Sequence, residues 1–260
     1  MKSIKSITPC NKYLPAFFFT LLFSGLLIPA LTGTSGGSLL ADSGNGLITG
    51  SSVLMREKPD RKSKIVYQFS IYDSVEIIEE SDEPEEINNM SAGWLRVKIA
   101  DTEGWCYGGF VARQFESNKN GSVTLWKTDC SYDVIIIHHK TAKKFLKIEI
   151  NDPIAGAVPS KSFKFLAVDI GNDSVRTLKI YDINSGKQAF ESAYINTELV
   201  WKGEKFSFKQ VTHSGICCAI YEVAFFENGK VKKTGKKGKA STDCVDPDEE
   251  DDTCRKFKVK

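Results

Sequence analysis

From Val53 to Ala112 apolar and polar residues alternate in short runs broken by turn formers, and this period of two is the feature that most limits the fold. Successive side chains of an extended strand point to opposite sides, so each run buries one face and wets the other. Val53 with Met55, Ile65 with Val66, Val75 with Ile77, Leu95 with Val97 and Ile99, and Trp105 with Tyr107 are the inward candidates. They predict five short strands closing a small antiparallel barrel. The stretch Glu79 to Glu86, with Pro84 inside it, is too acidic to pack and is expected to form a long exposed loop.

The segment Phe115 to Gly121 is rich in Ser, Asn and Lys, has no apolar period and reads as a linker, which puts a boundary near residue 118. Beyond it β signals resume at Val134–Ile137, Phe145–Ile150, Phe163–Ile170, Val175–Ile183, Glu198–Trp201, Phe206–Val211 and Ile216–Phe226, with no sustained helical period. The chain is therefore expected to be all-β, a small barrel followed by a β-sandwich or meander. One stretch, Phe163 to Phe208 with the turn Asn184-Ser185-Gly186-Lys187, resembles a single repeat of the β-propeller proteins. A propeller needs about four blades of roughly forty residues, and no second copy of the pattern is visible, so a partial propeller is the alternative to the sandwich.

The first forty residues differ from the rest. Lys2, Lys5 and Lys12 precede an apolar run from Leu14 to Leu31, and small residues follow through Ser38 to Ala41. That order predicts a signal helix cleaved after Ala41, and hence a periplasmic or secreted protein; an uncleaved segment anchoring the chain in the inner membrane is the alternative. The expected divisions are 1–41 signal, 42–118 barrel and 119–260 β-rich domain. Loss of the three lysines moves the formal charge from +2 to a slightly negative value, which excludes a general polyanion binder by net charge. Cys10 leaves too, and an even set of cysteines remains for an oxidising compartment. Cys244 and Cys254 enclose a polar, acidic loop that a bridge would clip, and Cys130 is expected to pair with Cys217 or Cys218. Cys106 is expected to be a buried free thiol.

The residues from Val53 onward carry a more specific likeness. Val53-Leu54-Met55-Arg56-Glu57-Lys58-Pro59, Ser63-Lys64-Ile65-Val66, Asp73-Ser74-Val75-Glu76-Ile77, Gly93-Trp94-Leu95-Arg96-Val97 and Gly104-Trp105-Cys106-Tyr107 resemble, in order, the strands of the bacterial SH3 (Src-homology-3-like) domains of cell-envelope proteins. Asp73 stands where that family usually carries a turn glycine. The resemblance implies a five-stranded barrel whose aromatic surface holds extended peptides, including those of the cell wall. It assigns ligand binding to Arg56, Tyr72, Trp94, Trp105 and Tyr107.

Catalytic and metal patterns are weaker. His213 and Cys217 would lie about 13 Å apart along one strand, too far for proton transfer, and adjacent His138 and His139 would face opposite ways and could not chelate together. The acidic run Asp246 to Asp252 lacks the spacing of a calcium loop. The basic run Lys230 to Lys239 reads as a flexible hairpin tip, with an anionic cell-surface partner as the alternative. The mature chain has no Gly-x-Ser-x-Gly and no His-Glu-x-x-His. The expectation is a non-catalytic envelope binding protein without cofactor or metal, whose partner is peptidoglycan or an envelope protein peptide rather than nucleic acid. A hydrolase with its site in the second domain and a purely structural envelope protein are the alternatives.

Overall fold

The computed structural model describes residues 44–128, 133–150, 152–171, 173–195, 198–215 and 218–242, so the expected signal segment lies outside the described residues. Among these residues the chain is all-β, without an α-helix and with one 3-10 turn at Gly108–Phe110. The first half contains β1 (Asn45–Ile48), β2 (Leu54–Arg56), β3 (Ile65–Gln68), β4 (Ser74–Glu80), β5 (Glu85–Ile87), β6 (Met90–Ala92), β7 (Trp94–Ile99), β8 (Thr102–Tyr107) and β9 (Val111–Ser117). Then follow β10 (Val123–Thr128), β11 (Val134–His139) and β12 (Lys144–Glu149). All except the β5–β6 hairpin join one ten-stranded antiparallel sheet in the order β12-β11-β10-β9-β1-β4-β7-β8-β2-β3.

The alternation read from the sequence buries what it should. Val53, Met55, Val75, Ile77, Leu95, Val97 and Cys106 share one core with Ile48, Phe69 and Val111, and residues from both sides of the sheet's middle meet there, so this part of the sheet curls around its core. Ile65 and Val66 depart from expectation: they lie exposed on β3, at the sheet's free edge.

Two segments read as loops contain ordered β structure. The acidic stretch Glu79 to Glu86 ends β4 and starts the β5–β6 hairpin, because Ile87 and Met90 pack onto Ala92, Trp94 and Tyr107 beneath it. The segment 115–121 is the end of β9 and a hairpin turn: Asn118 Oδ1 accepts from Val123 N at 3.0 Å, Gly121 takes φ +67°, and β10 pairs back along β9, so the sheet is continuous across residue 118. Asp73 also acts otherwise than a glycine substitute would. Its carboxylate accepts from Ser70 N at 2.8 Å, and the left-handed residue of the turn is Tyr72, φ +68°.

The second sheet is a meander of β13 (Ile154–Pro159), β14 (Phe165–Ile170), β15 (Val175–Asp182), β16 (Gln188–Ile195), β18 (Lys205–Gly215), β19 (Cys218–Glu227) and β20 (Lys230–Ser241), with β17 (Trp201–Lys202) paired to β18. The basic run is thus a twelve-residue edge strand rather than a flexible tip. Every residue of β14 is buried. Leu166, Val168 and Ile170 face Leu125, Ile135 and Ile137 of the first sheet, while Phe165 and Ala167 face a second core with Tyr194, Phe206, Phe208 and Phe226. Val158 of β13 and Val231 of β20 pack on that second core from opposite edges, so this sheet curls as well.

Two consequences can be measured. A Cβ at Gly104 would lie 2.7 Å from Arg56 O and from Met55 Cγ, with backbone on one side and a filled core on the other. Gly104→Ala is expected to lower stability by about 1–3 kcal/mol in urea titration. Cys106 is a free, buried thiol whose pKa burial pushes up to about 12. It should resist a thiol reagent at neutral pH until the protein is unfolded. Because the folded pKa is raised, its contribution to stability is complete below the ordinary value of 9.0 and declines as the pH climbs toward 12.

Candidate functional site

The five residues assigned to ligand binding do not form one surface. Trp94 and Tyr107 are buried, not exposed: Trp94 Nε1 donates to Glu85 Oε2 at 2.8 Å and the Tyr107 hydroxyl donates to Glu85 O at 2.7 Å, both under the β5–β6 hairpin. Indole N–H and phenol O–H both need partners once buried, and the hairpin supplies them. Tyr72 stands elsewhere. Its ring stacks on Phe145 at 4.2 Å, and Phe145 stacks on His138 at 4.0 Å, so the turn before β4 is tied to β11 and β12. His139 reaches the other way, its Nε2 3.0 Å from Ile183 O.

Arg56 and Trp105 stay together. Strand register places Ile65, Arg56, Trp105 and Arg96 side by side across β3, β2, β8 and β7. The half-buried Trp105 therefore lies in register between Arg56 and Arg96. Arg56 Nη1 donates to Ser63 O at 2.7 Å, and Arg96 is held by Glu79 at 3.2 Å and Glu103 at 3.0 Å. The row ends at the free edge of β3, where Ile65, Val66 and Tyr67 are 49%, 37% and 36% exposed.

A second row escaped the sequence reading. On the inner face of the second sheet Asp169, Arg176, Tyr194 and Gln210 follow one another across β14, β15, β16 and β18, with Arg176 opposite Tyr194 and Tyr194 opposite Gln210. Arg176 Nη1 bonds Asp169 Oδ2 at 2.7 Å, with side-chain exposures of only 17% and 6%. Gln210 Nε2 donates to Ser192 Oγ at 3.0 Å. Asp169 Oδ1, the Tyr194 hydroxyl and Gln210 Oε1 are buried without a partner in hydrogen-bonding geometry. Burial, then the nearby Asp169 carboxylate, push the Tyr194 phenol well above the ordinary range. A lone Asp within the apolar run of β14 is the signal that marks this row; its neighbours depend on register.

A cavity of about 220 Å³ opens where Thr49, Gly50 and Phe110 meet Asp133, Lys147 and Glu149. Its charges are already committed, Lys147 to Glu149 at 2.8 Å and Asp133 Oδ2 to Ile154 N at 2.7 Å, so the open Trp105 row is the better candidate. Cys130, Cys217, Cys244, Cys254 and the acidic run Asp246 to Asp252 lie outside the described residues; Cys218 is buried and not free.

No family model and no curated protein matches the chain. Among solved structures it is similar to the β-propeller domain of the Trilobed protease from Pyrococcus furiosus, with TM-score 0.38, 12% identity, and 73% of this chain against 59% of that one. It is also similar to Hsv2 of Kluyveromyces lactis, with TM-score 0.31, 9% identity, and 68% against 55%, and to a chain of a mitotic checkpoint complex, with TM-score 0.28, 13% identity, and 82% against 88%. The chain spans little more than half the length of the first two, and similarities at this level assign neither fold family nor activity.

The buried row gives a paired prediction. Asp169→Asn leaves Arg176 without its counter-charge and is expected to cost about 3 kcal/mol. Tyr194→Phe removes the hydroxyl beside the Asp169 carboxylate and should cost no more than about 1 kcal/mol. Thermal and urea unfolding of the two variants side by side checks the contrast.

Proposed function

We propose that the protein is an exported, non-catalytic binding protein whose first sheet is built like the Src-homology-3-like barrels of bacterial envelope proteins. It takes an extended peptide, either a cell-wall stem peptide or a segment of an envelope protein. The observation that carries this reading is the row Ile65, Arg56, Trp105 and Arg96 beside the free edge of β3. An unpaired edge offers main-chain donors and acceptors to an added strand. The exposed Ile65 and Tyr67 offer apolar contacts, and the guanidinium of Arg56 offers a partner for a peptide carboxylate. The basic, apolar and small-residue order of residues 1–41 supports export. Trp94 and Tyr107 act here as supports beneath the hairpin, and Tyr72 as a brace against Phe145, so contact with ligand falls to Arg56 and Trp105.

The test uses the whole mature chain, because β9 pairs with β10 beyond residue 118. Purified peptidoglycan should pellet the wild type without being cut, and Trp105→Ala or Arg56→Ala should weaken pelleting about tenfold while circular dichroism stays unchanged. Tyr72→Ala should lower stability and leave pelleting by the folded fraction intact. Failure of the wild type both to bind wall material from several bacteria and to be cross-linked to any envelope protein through β3 overturns the proposal.

A further inference from the structure

The face of the second sheet that packs on the first sheet at β14 continues across β18, β19 and β20, where nothing covers it among the described residues. There a stripe of half-buried side chains, Tyr221, Val223 and Phe225 of β19, runs between two rows of lysine. Lys205 and Lys209 come from β18, with Lys205 Nζ 3.6 Å from the Phe225 ring centre and Lys209 Nζ 4.9 Å from that of Tyr221. Lys230 and Lys232 come from β20, with Lys232 Nζ 6.0 Å from Phe225. Tyr221 is laid across Gly238, where a Cβ would fall 2.5 Å from the ring, so the glycine is what lets the ring lie flat on the strand.

Charge on this face is predominantly positive, with Glu227 the one acid of β19 that shares it. Glu227 lies in register between Lys205 and Lys230, while Glu222 points to the opposite face and pairs with Lys233 at 3.6 Å. No ion pair is made by Lys205, Lys209, Lys230, Lys232 or Lys236 among the described residues, while Lys237, in register with Glu222, belongs to the opposite face. Strand geometry spaces the Cα atoms that carry these lysines, about 7 Å between Lys230 and Lys232, about 13 Å between Lys205 and Lys209, and about 10 Å from β18 to β20 across β19. A regular strand thereby holds charges that a flexible hairpin tip would scatter.

We infer that this face binds a linear phosphate polymer, whose repeated anionic groups meet the two lysine rows while its backbone follows β19. The aromatic rings hold ammonium groups over themselves, so they orient the lysines and are not open platforms for nucleic-acid bases, which favours a polymer without bases. The net charge of the chain hides this face because acidic residues elsewhere balance it, including the run Asp246 to Asp252 soon after β20.

The experiment is equilibrium binding of the full mature chain to long-chain inorganic polyphosphate, with orthophosphate and single-stranded DNA in parallel. The expected result is polyphosphate binding that weakens about tenfold or more between 50 and 200 mM salt through counterion release, with no measurable binding of orthophosphate. Lys205→Gln/Lys209→Gln/Lys232→Gln should abolish it. Lys230→Gln/Lys232→Gln/Lys236→Gln, confined to the exposed edge strand where folding is safe, should reduce it at least tenfold, whereas Lys143→Gln/Lys187→Gln, remote from the face, should not. Absence of polyphosphate binding overturns the inference, as does DNA binding of equal strength. Binding that appears only after the acidic residues of 246–252 are changed to amides assigns the face to the chain's own acidic segment and overturns it too. Peptidoglycan pelleting is unaffected by any of these outcomes, so this face and the Trp105 row are judged separately.

Discussion

A strand buried on both faces is the constraint on which the rest of this structure depends. β14 reads Phe165-Leu166-Ala167-Val168-Asp169-Ile170, and its odd and even residues enter different cores. Through Leu166, Val168 and Ile170 it fastens the second sheet to the first; through Phe165 and Ala167 it anchors the curled face that gathers four phenylalanines. Burying an aliphatic side chain is worth roughly 1.5–3 kcal/mol, so a six-residue strand covered on both sides concentrates much of the sheet–sheet attachment in one place. Asp169 is the exception, and it is tolerated because Arg176 lies across the strand with a 2.7 Å bond.

The first sheet solves a different problem. Its outer face carries Trp94, Trp105 and Tyr107, too much aromatic surface to leave in water together. The β5–β6 hairpin covers two of the three and satisfies their polar ends with Glu85. Arg61 closes over the same carboxylate at 2.7 Å. Trp105, in register with two arginines, is left half-buried at the border of that cover.

Much of this was written in the residues and some was not. Period-two alternation located β2, β4, β7 and β8, and the apolar richness of Phe163 to Ile170 located β14. The opposed directions of His138 and His139 followed from strand geometry alone. The β5–β6 hairpin was hidden because Ile87 and Met90 are its apolar contribution amid acidic residues. Asn88-Asn89, with φ of 53° and 63°, was the available turn signal. Asn228-Gly229, φ 52° and 78°, likewise marked the turn that makes Lys230 to Lys239 a strand. The continuity of the sheet through residue 118 and the row from Asp169 to Gln210 depend on which strands become neighbours, and local pattern carries no information about that.

The order of strands along the two sheets also sets a timetable. From β9 onward nearly every strand pairs with the one just before it in the chain, so each can be added as a hairpin soon after it is made. The N-terminal part mixes local hairpins, β2 with β3 and β7 with β8, with distant pairings: Gly46 pairs with Arg113, and β2 waits for β8. Pairings over long separations carry the loop-closure entropy that slows folding. The ribbon synthesised last can therefore zip quickly onto a nucleus whose own closure, β1 against β9, is the slow event.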